Sequence, residues 1–359
     1  MSHQTGWGQH HPGQPAPQWG GWAPPPPRPG VIPLGPLQAG DVLSGAFTAF
    51  RRYWKPLTGV ILLVQGIGIL LVGAAIGIAG VGVDTRFAAV FDLPAGETPA
   101  AGDVAALLLY LAPVVVLMLV TMVLLTGMIA AVCPAVIQEA VLGRPTTFAA
   151  MWRRCWSRLP SVLGVLVCVG LLAGGPVLVL YAVCVPWLFT DGGVPPLPVL
   201  VLLLGVLLWM PAMLWLAVRF SLAPAVAVCE GLGPIASMRR SARLVGGGWW
   251  RTFGIAALGY LMAAVVGYAV QLPFTFLGMF ALLPAVLATG EAGDPTTLLS
   301  GIAVYVACMM LGMAVGSVFQ LGYPQLVLSL LYVDQRIRKE NLAEALLTAA
   351  TAPATAGPR

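Results

Sequence analysis

Apolar residues fill this chain in long runs, and short segments carrying the charges separate one run from the next. The runs are Pro56–Val83, Val104 to near Ala131, Leu159–Phe189, Leu197–Ala217, Phe253–Leu283 and Leu298–Leu321. A helix needs about 20 mainly apolar residues to cross a bilayer, and each run reaches that length. Backbone polar groups must satisfy one another inside lipid, which favours helices. The pattern predicts an all-α, polytopic membrane helical bundle of about six transmembrane helices.

The charges alternate from one connector to the next. Asp84, Arg86, Asp92, Glu97 and Asp103 follow the first run, Asp191 follows the third, and Glu291 and Asp294 follow the fifth. The remaining segments are basic. They hold Arg51, Arg52 and Lys55; Arg144, Arg153, Arg154 and Arg158; Arg239, Arg240, Arg243 and Arg251; and Arg336, Arg338 and Lys339. Lys and Arg beside a span are retained in the cytoplasm. Both termini are therefore expected on the cytoplasmic side of a plasma membrane.

The basic segments also look alike. Each reads as a short amphipathic helix leading through tryptophan into a span. Leu43, Phe47, Phe50 and Trp54 share one face of the first, with Arg51, Arg52 and Lys55 off it. Phe148, Met151, Trp152, Cys155, Trp156 and Leu159 share a face of the second, opposite Arg153, Arg154 and Ser157. Ile235, Met238, Ala242 and Val245 share a face of the third, opposite Arg239, Arg240 and Arg243, and Trp249 and Trp250 follow. Apolar positions three and four apart form one helix stripe. Arginine opposite that stripe and tryptophan at its edge suit the surface of an anionic membrane. Arg51, Arg52, Trp54, Arg153, Arg154, Trp156, Arg239, Arg240 and Trp250 are thus candidate contacts for anionic headgroups.

Each unit closes on proline: Pro134 before Glu139, Pro224 before Glu230, and Pro324 before Asp334. Proline removes a helix hydrogen bond and bends the axis. Each exit helix is expected to kink there and run on along the inner interface. The chain then reads as three pseudo-repeats, 41–142, 145–230 and 234–340, within a membrane domain spanning 39–342. A cytoplasmic tail, 343–359, follows.

Composition narrows the picture. Hydrophobic residues make up 59% and charged residues 9% of the chain, against about 25% charged in soluble domains. The net charge of +5 flanks apolar runs instead of forming one basic face, so nucleic acid is excluded as a partner. The basic residues are almost all Arg, the only lysines being Lys55 and Lys339; with abundant Ala, Gly and Pro this points to a GC-rich bacterial genome. None of Cys133, Cys155, Cys168, Cys184, Cys229 and Cys308 falls in an outer connector, so no disulfide framework is implied. Residues 1–38 are rich in Pro, Gly, Gln, His and Trp and lack the charged start and short apolar core of a signal peptide. They read as a disordered tail of polyproline character, either a solvated spacer or a dock for a proline-binding partner.

Catalytic chemistry is thinly represented. His3, His10 and His11 all lie in the tail, which leaves no histidine in the membrane domain for a metal, a proton relay or a Ser–His–Asp arrangement. No cofactor is called for. Gly246–Gly248 is not followed by Gly-Lys-Ser/Thr, so it reads as a helix end and not a phosphate loop. Arg219 stands just past the fourth run. It is either a functional intramembrane cation, or it snorkels to headgroups or pairs with Glu139 or Glu230. Gln65, Gln271 and Gln320 either line a polar cavity or hydrogen-bond across helices. Gly73/Gly77 and Gly312/Gly316 have the spacing that lets helices approach closely. Pro211 and Pro273 are placed to break or bend spans.

Three phrases carry a resemblance. They are Gly30-Val-Ile-Pro-Leu-Gly-Pro-Leu with Asp41-Val-Leu-Ser-Gly-Ala-Phe, then Arg240-Ser-Ala-Arg-Leu-Val with Trp249-Trp250-Arg-Thr-Phe-Gly, then Leu331-Tyr-Val-Asp-Gln-Arg-Ile-Arg-Lys-Glu. Together they resemble bacterial integral membrane proteins of a domain-of-unknown-function family that is similar to the membrane domain of glycerophosphoryl diester phosphodiesterase. The resemblance covers about 30–340 and implies a membrane domain without its enzyme. The catalytic barrel of such enzymes takes about 250 residues, which no segment here supplies. The leading expectation is a non-catalytic membrane scaffold or accessory domain. It would touch the bilayer, anionic lipid headgroups and another membrane or cytoplasmic protein. The rival is a small-molecule transporter or permease subunit with a polar site at Arg219, Gln271 and Gln320. A membrane-embedded enzyme lacks convergent ionisable groups.

Overall fold

The computed structural model describes residues 37–80, 87, 89–90, 100–141, 148–185, 187, 196–288 and 295–340. The tail 1–36, most of the acidic connectors, Arg144 and the tail 343–359 lie outside the described residues, as do the side chains of Phe148 and Met151. The described segments are helical. They are α1 (Ala39–Arg52), α2 (Trp54–Gly80), α3 (Ala101–Val141), α4 (Phe148–Cys184), α5 (Pro196–Phe220), α6 (Ala223–Cys229), α7 (Pro234–Val245), α8 (Trp249–Ala288) and α9 (Pro295–Glu340). Six stretches are long and apolar enough to cross a membrane: α2, α3, α4, α5 with α6, α8 and α9. The chain is a multi-pass membrane protein by architecture.

Exposure divides each span in two. Large apolar side chains stand exposed along Leu62–Ile78, Leu108–Leu124, Val167–Val183, Leu197–Trp215 and Leu299–Val315. Each stretch is about 17–19 residues, or about 25–28 Å, close to the hydrocarbon thickness of a bilayer. In α8 the exposed stretch is longer, from Leu258 to Leu287. Such a surface is stable only against lipid. The other ends of the helices bury their side chains against one another. Met128–Cys133, Leu222, Ala225–Val228, Tyr323 and Leu326–Val333 form one cluster with α1 and the start of α2. Between lipid-facing helices, hydrophobic burial contributes little, since lipid tails are as apolar as Leu. At this end the helices outrun the hydrocarbon, and burial regains its usual value of about 25 cal/mol per Å².

The proline-bearing exits are the centre of that cluster. They were expected to run along the inner interface. Instead they pack on one another, with the Cys133 Sγ 3.7 Å from the Gly322 carbonyl. The helix continues unbroken through Pro134 and Pro324. It breaks only before Pro224, where Ser221 and Leu222 separate α5 from α6. Proline needs no donor in the first turn of a helix, which is where Pro224 sits.

The entry segments also depart from expectation. Two are separate helices, α1 and α7. The second is simply the start of α4, which runs through Pro160 without interruption. The difference lies in the connectors. Tyr53 leaves the helical region between α1 and α2, and Gly247 at φ 78° turns the chain between α7 and α8. Neither a glycine nor another break stands between Trp156 and Leu159.

α1 and α7 each pack one face on the bundle and leave another exposed. In α1 Val42, Gly45, Ala46 and Ala49 are buried, while Phe47, and Trp54 at the start of α2, are exposed. Small residues let α1 lie close against α9, where Phe50 meets Phe319 edge-on at 5.0 Å and Tyr323 donates to the Leu43 carbonyl at 3.1 Å. In α7, Ser237, Met238, Ser241, Leu244 and Val245 are buried and Ile235 is exposed. The serines face inward because each has a carbonyl to bond. Ser241 donates to Arg219 O at 2.9 Å, and Ser237 to Gly233 O at 2.9 Å.

Candidate functional site at the basic end of the bundle

Every ion pair among the described residues lies at the end where the helices bury one another. The deepest centres on Asp334, which is fully buried. Arg251 of α8 and Arg338 of α9 both pair with it, Arg338 at 3.0 Å. The same three residues grip the backbone of Leu37. The Leu37 N–H donates to Asp334 Oδ1 at 2.9 Å. Its carbonyl accepts from Arg251 at 2.7 Å and from Arg338 at 2.6 Å. Leu37 is itself fully buried. A buried carboxylate is tolerated because two cations and one amide satisfy it.

A second network joins the loop after α6 to α7 and α9. Arg240 donates to both oxygens of Glu230 at 3.2 Å and also pairs with Glu340. Arg336 donates to Glu340 at 3.0 Å and to the Tyr332 hydroxyl at 3.1 Å, and Tyr332 donates to Glu230 at 3.0 Å. Burial works against the charge of Arg240, but Glu230 and Glu340 outweigh it and hold its pKa above the ordinary value. Lys339 donates to the carbonyls of Arg243, Leu244 and Gly246, at 3.3, 2.9 and 2.6 Å. It closes the end of α7, where carbonyls lack helical partners. Arg154 of α4 bonds Gln138 and pairs with Glu139 at 3.4 Å.

The predicted lipid contacts therefore separate into two groups. Arg154 and Arg240 are engaged by acidic partners inside the protein. Arg51, Arg153 and Arg239 are exposed, and no carboxylate among the described residues pairs with them. Arg52 lies over the Tyr53 ring, 5.8 Å from its centre. Trp54, Trp156 and Trp250 are 51%, 52% and 77% exposed, on the rim suited to amphipathic aromatic rings.

The three residues of the predicted polar site are not brought together. Arg219 stacks on Trp215 at 4.6 Å and pairs with neither Glu139 nor Glu230. It lines an apolar groove of about 540 Å³ beside α4 and α7. Gln320 packs against Gly267 at the crossing of α8 and α9, and Gln271 lies near Gly316 on the same seam. Gln65 accepts from Ser317 at 2.7 Å, so it ties α2 to α9. A separate hollow of about 480 Å³ has Thr126, Ser221, Tyr260 and Gln325 as its polar lining, and none of the three predicted residues borders it.

Sequence reasoning missed Asp334, Glu230, Glu340 and Tyr332 as a structural set. One signal was present: Asp334–Arg338 and Arg336–Glu340 stand four apart, the spacing of a helical ion pair. Comparison with protein-family models, curated proteins and solved structures finds no match.

Proposed function

We propose that this chain is a non-catalytic scaffold or accessory domain of a bacterial plasma membrane, with both termini cytoplasmic. One observation carries the reading: the acidic groups at the basic end are consumed by structural pairs. Glu139, Glu230, Asp334 and Glu340 each bind arginine. Among the described residues every buried side-chain nitrogen and oxygen has a partner. A catalytic or transport site keeps polar groups poised for its substrate; here they hold helices to each other. What remains outward are Arg51, Arg153 and Arg239, which no carboxylate among the described residues pairs with, and exposed tryptophans, a set that suits contact with anionic lipid. The alternation of acidic and basic connectors supports the orientation. The likeness of the three segments 41–142, 145–230 and 234–340, whose proline-bearing exits meet at the centre, supports an internal repeat.

Complementation of a deletion strain tests this. Gln271→Leu and Gln320→Leu, alone and together, remove the polar groups a permease would need along α8 and α9. A scaffold tolerates them and complements fully. Loss of complementation by folded, membrane-inserted variants would transfer the reading to the permease. Tags placed at either terminus and scored for accessibility in intact cells check the orientation separately.

A further inference from the structure

The groove beside Arg219 has a built combination of features. Its apolar wall includes Leu171 and Leu172 from the lipid-facing part of α4, and Ile235 and Met238 from α7. Leu171 and Ile235 are 64% and 62% exposed, so the groove opens sideways, where a lipid chain would enter. Its volume, about 540 Å³, falls in the range of ligand pockets, about 300–1,000 Å³. Two arginines border it, Arg219 and Arg239, their side chains lying along an otherwise apolar wall. Neither has a carboxylate partner among the described residues, unlike Arg240, Arg251, Arg336 and Arg338. Arg219 is fixed in place twice. Its side chain rests on Trp215, and its carbonyl is held by Ser241 of α7.

We infer that this groove binds one anionic phospholipid, with acyl chain against α4 and phosphate on Arg219 and Arg239. The charge pattern selects this occupant. Two uncompensated cations at the rim of an apolar slot need an anion with an apolar tail. Guanidinium groups bind phosphate oxygens by paired, charge-assisted hydrogen bonds. A zwitterionic lipid brings its own cation to the rim and loses that advantage. The inference rests on the reading that the free arginines face anionic lipid, and it assigns one site to that contact.

Native mass spectrometry of the full chain, delipidated and then exposed to equal amounts of phosphatidylglycerol and phosphatidylcholine, tests it. The wild type should retain phosphatidylglycerol in preference. Arg219→Ala with Arg239→Ala should lower that retention by about tenfold, two charge-assisted contacts being removed. Arg51→Ala with Arg153→Ala, which lie outside the groove, should lower it distinctly less. Arg219→Lys with Arg239→Lys keeps the charge but loses the paired hydrogen bonds and the Trp215 stack, and should fall between the wild type and the alanine pair. A photoreactive phosphatidylglycerol on the wild-type protein gives an answer independent of any variant: its adducts should map to Leu171–Leu172 and to Ile235–Ala242. Adducts elsewhere, or full retention by the Arg219/Arg239 alanine pair, overturn the site. Equal loss in the Arg51/Arg153 pair overturns it too, while leaving the general contact with anionic lipid intact. A wild type with no preference between the two lipids overturns both.

Discussion

The backbone N–H of Leu37 donates to the buried carboxylate of Asp334, 297 positions later, at 2.9 Å. This bond closes the described chain almost end to end. Arg251 and Arg338 complete the contact by binding both the carboxylate and the Leu37 carbonyl.

Asp334→Ala should therefore be among the most damaging single changes. It leaves two guanidinium groups without their acid and frees the Leu37 amide. Removing one member of a buried ion pair costs about 3–5 kcal/mol. Arg251 and Arg338 are partly exposed, so the lower end applies. Asp334→Asn keeps an acceptor for Leu37 and should cost less. Thermal unfolding in detergent ranks the two. Limited proteolysis should show cleavage near Leu37 rising in the alanine variant first. Equal stability of wild type and Asp334→Ala would mean the clamp contributes nothing.

The Glu230 network should behave cooperatively. Glu230 takes bonds from Arg240 and Tyr332, and Glu340 takes bonds from Arg240 and Arg336. These side chains are about one-fifth to one-quarter exposed, so solvent screens them in part. Glu230→Gln and Arg240→Ala should each cost about 1–2 kcal/mol. The double variant should cost less than the sum, because the second change removes a group already stranded by the first. Strict additivity in the cycle would show that the pair does not interact.

The two Gly-xxx-Gly pairs separate cleanly. A methyl group at Gly316 would lie 2.9 Å from the Gly267 carbonyl, and one at Gly312 would lie 2.7 Å from the Phe274 side chain. The Gly267 obstacle is backbone and cannot swing aside. At Gly73 and Gly77 nothing lies within 4 Å. Gly316→Ala should thus push α8 and α9 apart and destabilise by about 1–3 kcal/mol. Gly73→Ala should be neutral within about 0.5 kcal/mol. Melting curves of the two variants side by side decide it, and similar values would remove the close crossing.

That contrast marks how far the sequence could be read. Six spans and the grouping of charge were legible, because length and composition alone decide what can cross a bilayer. Gly73/Gly77 and Gly312/Gly316 were indistinguishable, because spacing does not say which face meets a neighbour. The packing face of α1 was illegible for a related reason. Phe47 and Trp54 are more apolar than Ala46 and Ala49, but next to lipid the large residues can point outward and the small ones permit contact. Arg219 stands apart from Gln271 and Gln320, which depth along a span could not show, since it does not say which helices adjoin. The pairing of Asp334 with Arg338 was legible from their spacing, but its bond to Leu37 was not, since Leu37 comes from the far end of the chain.

Ser241 links the fold to the lipid site. Its hydroxyl donates to Arg219 O at 2.9 Å, and the serine is fully buried. That carbonyl ends α5 and lacks a helical partner, so Ser241→Ala strands it at a cost of about 1–2 kcal/mol. The change also removes the tie that sets Arg219 beside Arg239. Ser237 is a fair control, being equally buried on the same helix but bonded to Gly233 O and Leu232 O. Both alanine variants should lose similar stability. Only Ser241→Ala should also lose several-fold in phosphatidylglycerol retention, measured on protein that stays folded at the assay temperature. If Ser237→Ala loses as much, the effect is general loosening of α7, and Ser241 has no particular hold on Arg219.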